Sequence, residues 1–193
     1  MNARGNYESY RANKIETGLL FQDFVIDLLF QTIGLVVVQY ASRLYQVHVG
    51  ESRTGVEIKH DEWYASTNNL WIEVAEKARP RAGEMVPSGI CRDDNSWLYV
   101  IGDYDTVFIF GKTTLLLLKD SGRYKIRENR TQTSRGFLLD DNLAQKLALY
   151  VLRPNAKEKI DTRVKDLEDL GRTLHELARK NPAQRSFFDE DED

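Results

Sequence analysis

Apolar and polar positions alternate with two different periods along this chain, and the changes of period divide it into a helix, a run of strands and a closing helix. Between residues 16 and 31, Leu20, Phe21, Phe24, Val25, Leu28 and Leu29 repeat at helical spacing, with Gln22, Asp23 and Asp27 off the oily face. Gly34 closes that segment. Residues 35–40 and 44–49 are rich in β-branched and aromatic side chains and read as strands. Val56 and Ile58 then alternate with Glu57, Lys59 and Asp61, and Ile72 and Val74 with Glu73, Ala75 and Lys77. A strand sends successive side chains to opposite faces, so each segment gathers its charges on one side. Pairing the two through a turn at Ser66, Thr67, Asn68 and Asn69 would bring both charged rows together.

Beyond Lys77 the chain is polar to residue 88, with Pro80, Gly83 and Pro87 arguing for a loop. Strands are expected at residues 97–101 and 107–110, a short helix at 112–119, two brief strands at 124–126 and 136–139, and a helix over 141–152 stopped by Pro154. Ile160, Val164, Leu167, Leu170, Leu174 and Leu177 predict a long amphipathic helix over 156–180. The order of elements implies an α+β or mixed α/β core. The chain divides into a flexible N-terminus (1–14), a core (15–153), a helical extension (154–181) and a disordered acidic tail (182–193).

With 193 residues and 41% hydrophobic content, one sizeable core is expected. The net charge of -3 reflects five acids at the end, residues 189–193, without which the remainder carries +2. That near-neutral body leaves nucleic-acid binding to local basic clusters such as Arg79 with Arg81, or Lys119 through Arg135. One cysteine, Cys91, excludes an internal disulfide, and three histidines offer no zinc spacing. The N-terminus lacks an apolar signal core, and the longest oily run, Leu115 to Leu118, is too short to span a bilayer. A cytoplasmic protein without membrane contact is therefore expected. The closing stripe suits packing on the body or a homodimer seam, and the acidic tail suits a protein partner.

Carboxylates from two adjacent strands with a lysine beside them can hold a hard divalent cation and hydrolyse a phosphodiester. Glu57 and Glu73 are the candidate ligands, with Asp61 a further carboxylate, and Lys59 or Lys77 would orient the water and stabilise developing charge. Here the chain resembles the PD-(D/E)xK nucleases. Glu16 opens the first helix, Glu57 stands in Gly55-Val56-Glu57-Ile58-Lys59, and Glu73 in Trp71-Ile72-Glu73-Val74-Ala75. Residues 87–90 and 133–139 are also similar to phage-type members. The resemblance implies a restriction-endonuclease-like mixed sheet flanked by helices, Mg²⁺ (or Mn²⁺) as cofactor, and DNA as substrate. It implies Glu57, Glu73 and Glu16 as catalytic positions; Lys59 or Lys77 completes the set, and an endonuclease is expected in preference to an exonuclease.

Ala75 stands where the family has its lysine, so Lys59 or Lys77 must substitute, or the protein is a non-catalytic platform for nucleic acid or protein. A literal Glu57-Ile58-Lys59 reading of the motif ranks lower, because residues 35–49 supply no preceding acid. Charges alternating with apolar residues also describe any half-solvated hairpin. Glu16 also serves the helix dipole, and Trp63, Tyr64, Trp71 and Trp97 serve either base stacking or packing. His48, His60 and Cys91 read as ordinary structural residues.

Overall fold

The computed structural model describes residues 3–77, 83–154 and 171–172. Its described elements are mixed α/β, with two four-stranded sheets and flanking helices. No helix among the described residues is long and apolar enough to cross a membrane.

Helix α1 (Ala3–Ile33) begins well before the expected start at Glu16, so the N-terminal residues from Ala3 belong to it. Its inward stripe is narrower than the expected oily face. Phe21, Val25 and Leu29 are fully buried, whereas Leu20 stays exposed. The exact four-residue step keeps one ridge of side chains over the sheet beneath. Gly34 ends α1 with a positive φ of 68°, and the Leu35 amide donates to the Leu29 carbonyl at 3.3 Å, a glycine-closed C-terminus.

The two strands expected next do not form. Residues 35–40 contribute one isolated bridge, Gln39 with Ser52, and residues 44–49 fold mostly into α2 (Arg43–His48). A short apolar run does not specify its period unless a partner surface selects it. Here the Arg92 guanidinium donates to the Gln46 and Val47 carbonyls at the end of α2, leaving Leu44, Tyr45 and Val47 outward.

The first sheet contains β1 (Val56–His60), β4 (Leu98–Gly102), β5 (Val107–Gly111) and β8 (Tyr150–Leu152), in the order β1-β4-β5-β8. The second holds β2 (Asn69–Glu76), β3 (Val86–Pro87), β6 (Arg127–Glu128) and β7 (Ser134–Asp140), in the order β3-β2-β7-β6. The proposed pairing of the Glu57 and Glu73 strands is thereby corrected: β1 runs parallel to β4, and β2 pairs antiparallel with β7 and β3. Asp61 explains the divergence. Its Oδ1 accepts the Trp63 amide at 3.1 Å and its Oδ2 the Trp71 amide at 2.7 Å, steering the chain through α3 (Tyr64–Thr67) into the other sheet. Asn68, in the left-handed region at φ 51°, ends α3.

The first sheet is the central layer. Val56, Ile58, Leu98, Val100, Val107 and Ile109 pack under α1 on one face. Tyr99, Ile101, Phe108 and Phe110 on the other face meet Leu70, Ile72, Phe137 and Leu139 of the second sheet. Strand alternation therefore turns Glu57 and Lys59 away from α1, towards the Tyr99 side.

Helix α4 (Lys112–Asp120) forms as expected, and α5 (Asp141–Leu147) starts where expected with Asp140 accepting the Leu143 amide at 3.1 Å. The expected helix over 141–152 stops early, because Tyr150–Leu152 is recruited as β8 by the open edge of β5. The brief strand expected at 124–126 forms instead at β6. The closing helix and acidic tail lie outside the described residues, apart from two helical positions, 171 and 172.

Candidate active site

Lys59 sits between two carboxylates. Its Nζ lies 2.9 Å from Glu51 Oε1 and 3.0 Å from Glu57 Oε1. The Lys59 side chain is 32% exposed and that of Glu57 only 1%, so the cluster is open to solvent from one side.

Glu51 reaches β1 through a tightly pinned loop. Ser52 Oγ accepts the Val56 amide at 2.8 Å and donates to the Val56 carbonyl at 2.9 Å, while Asn95 Nδ2 donates to the Ser52 carbonyl at 2.8 Å. Gly50, at φ 141°, leaves no room for a side chain, since a Cβ there would stand 2.0 Å from Asn95 Oδ1. Gln22 on α1 donates from Nε2 to Glu51 Oε2 at 3.4 Å, tying the first helix to the site.

Glu57 Oε2 and the Tyr99 hydroxyl are both buried without a hydrogen-bond partner among the described residues. The two residues are register neighbours across β1 and β4. Burial pushes the Glu57 carboxyl above its usual range; Lys59 opposes the shift, and Glu51 adds to it. For Lys59, burial pulls the ammonium down, but Glu51 and Glu57 outweigh that and hold it well above the ordinary lysine value. Burial, followed by the field of Glu57, raises the Tyr99 phenol as well. At neutral pH Lys59 is a cation and Tyr99 a neutral donor.

Glu73 is held differently. Its Oε1 accepts from Ser88 Oγ and its Oε2 from Ser134 Oγ, each at 2.7 Å, and Ser134 Oγ also accepts from Trp71 Nε1 at 3.2 Å. Gly89, at φ 51°, lets its turn close onto β2, where an added Cβ would lie 2.4 Å from the Glu73 carbonyl oxygen. Glu73 lies near enough for its charge to act on Lys59 and Tyr99. A bulge between Glu73 and Ala75 breaks the alternation that placed Glu73, Ala75 and Lys77 on one face, because it inserts a residue into β2.

The other sequence candidates stand apart. Asp61 lies four residues beyond Glu57, about 13 Å along an extended strand, and both its oxygens accept backbone amides. Glu16 is exposed within α1 instead of opening it. Lys77 enters no ion pair among the described residues. Among those residues no group of three or more His, Cys, Asp or Glu side chains comes together as a metal cluster. Trp63 is 67% exposed, whereas Trp71 and Trp97 are engaged, Trp97 Nε1 donating to the Thr54 carbonyl at 2.8 Å.

Sequence reasoning missed Glu51 and Tyr99. Residues 35–49, the segment expected to precede the Glu57 strand, hold no acid, and Glu51 lies just beyond them in a stretch without an apolar pattern. Tyr99 read only as a strand residue, since its alignment with Glu57 depends on a parallel pairing across a long connection. A second buried cluster braces the site: Asp94 pairs with Lys112 at 2.8 Å and Arg92 at 3.5 Å. In comparisons with protein-family models, curated proteins and solved structures, the chain matches none.

Proposed function

We propose that this protein is a divalent-metal-dependent DNA endonuclease of restriction-endonuclease-like fold, with Glu51, Glu57 and Lys59 as its working residues. The observation that carries the reading is the Lys59 ammonium held at 2.9 and 3.0 Å between two carboxylates, one of them almost wholly buried. Burying a carboxylate is costly unless a charge compensates it, and carboxylates perturbed by burial beside a specific charge partner are enriched at functional sites.

The residues fit a hard cation. Glu51 and Glu57 are oxygen donors of the kind Mg²⁺ prefers, and although Lys59 Nζ already pairs with one oxygen of each, Glu57 Oε2 has no partner among the described residues and is the oxygen left for a cation beside the ammonium. Glu51 and Glu57 would hold Mg²⁺ or Mn²⁺, which supplies charge neutralisation at the phosphoryl oxygens and a more acidic water. This moves the ligand pair from Glu57 and Glu73 to Glu51 and Glu57, and revives the literal Glu57-Ile58-Lys59 motif.

Lys59, a cation at neutral pH, donates hydrogen bonds instead of taking a proton, so it orients the water and stabilises the extra negative charge as phosphorus gains its fifth bond. The water oxygen bonds to phosphorus and one P–O ester bond breaks. The water's proton leaves to solvent, and the departing oxygen takes one back. Glu73, fixed by Ser88 and Ser134, adds a negative potential that keeps Lys59 charged.

Cleavage of supercoiled DNA with Mg²⁺ or Mn²⁺ tests the reading, comparing wild type with Glu57→Gln and Glu51→Gln. Each substitution is expected to lower the rate by at least a hundredfold, and to remove thermal stabilisation by Mn²⁺. Cutting that survives in both variants would refute the assignment. Absence of cutting by folded wild type on every substrate would leave a binding platform.

A further inference from the structure

Next to Glu51 lies a cavity of about 210 Å³, lined from α1, from α2 and from the segment joining them to β1. Three carboxamides, Gln22, Gln39 and Gln46, contribute to its wall. Gln39 Nε2 donates to Gln22 Oε1 at 3.3 Å, and Gln22 Nε2 to Glu51 Oε2 at 3.4 Å, so the lining is coupled directly to a carboxylate of the hydrolytic cluster. Arg43 stands in the same lining without an ion-pair partner among the described residues.

We propose that this cavity takes one unpaired nucleotide of the DNA substrate, the neighbour of the phosphodiester held at Glu51, Glu57 and Lys59, an inference that rests on the hydrolytic reading above. Carboxamides carry both donors and acceptors; with Gln46 Nε2 donating to the Tyr40 carbonyl at 2.7 Å, each of the three amide nitrogens keeps a second hydrogen for a nucleobase edge, and Leu19 and Val47 supply apolar contact for the ring. A site for phosphate alone would turn cations inward. Here Arg92 is already committed to the Gln46 and Val47 carbonyls and to Asp94, and Glu51 brings negative charge. The Arg43 guanidinium, in no ion pair among the described residues, suits the phosphate joined to the bound nucleotide. The volume falls below the roughly 300–1,000 Å³ of sites for drug-sized ligands, a size that suits a single base better than a base pair. A duplex must therefore release a nucleotide before it is cut, a cost that a single strand or frayed end does not carry.

The test uses the full chain with Mg²⁺ and end-labelled oligonucleotides of one sequence: single-stranded, blunt duplex, and a single-stranded series with an abasic residue stepped along the chain. The single strand is expected to be cut at least tenfold faster than the duplex. One abasic position, fixed relative to the cut, is expected to slow cleavage at least tenfold. In Gln39→Leu and Arg43→Ala, both at exposed positions, single-strand cleavage should fall at least fivefold and the abasic penalty should shrink, with melting temperature unchanged. Equal cutting of duplex and single strand with no sensitive abasic position overturns the inference while hydrolysis at Glu57 stands. No Mg²⁺-dependent cutting of any oligonucleotide or plasmid overturns the hydrolytic reading, and this inference with it.

Discussion

Replacing Lys59 by Met keeps the length and apolar stem of the side chain but removes the one positive charge set between Glu51 and Glu57 among the described residues. At 3 Å and an effective dielectric constant near 20, each attraction is worth about 5 kcal/mol before desolvation is subtracted. Breaking a fully buried pair from one side costs about 3–5 kcal/mol net, and because Lys59 is 32% exposed the expected loss is about 2–3 kcal/mol. The sign of its pH dependence follows from Glu57. Burial already holds that carboxyl above its ordinary value, and Lys59 opposes the shift, so the variant raises it further. A group whose folded pKa is raised favours the folded state once protonated. The penalty of Lys59→Met is therefore fully present at pH 8 and declines as the pH falls through the raised Glu57 value. Urea unfolding of both proteins at pH 8 and pH 5 measures this, with an expected gap of about 2–3 kcal/mol at pH 8 that is smaller at pH 5. A gap that is equal at both pH values would refute the placement of these charges.

Three further outcomes are expected. Tyr99→Phe removes a buried hydroxyl that has no partner among the described residues; stability should stay level or rise by up to about 1 kcal/mol, while a drop in kcat without a change in melting temperature would show that the hydroxyl serves the reaction. Gly89→Ala places a Cβ 2.4 Å from the Glu73 carbonyl oxygen at φ 51°, so denaturant unfolding should show a loss of at least about 2 kcal/mol. Asp61→Ala strands the Trp63 and Trp71 amides, and the same measurement should show a loss of about 2–4 kcal/mol. An Asp61→Ala protein as stable as wild type would mean that these amides find other partners.

Periodicity made several elements legible from the amino-acid order alone. The four-residue spacing of Phe21, Val25 and Leu29 specifies the buried ridge of α1, and the continuous apolar runs around Val100 and Ile109 specify strands buried on both faces. Strict alternation from Val56 to Lys59 fixes which side of β1 carries charge, because a strand has no other way to orient its neighbours. The closeness of Glu57 and Lys59 was readable for the same reason. Tertiary structure decided the rest. Residues 44–49 became a helix because Arg92, more than forty positions away, binds its terminal carbonyls, and Tyr150–Leu152 became a strand because β5 had an open edge. The charged rows of β1 and β2 were separated by two side-chain bonds from Asp61, and Glu51 joined Lys59 through a loop anchored by Asn95. Local order dictates the period and face of an element, whereas its pairing depends on partners distant in sequence. The Glu51, Glu57 and Lys59 cluster is a product of both.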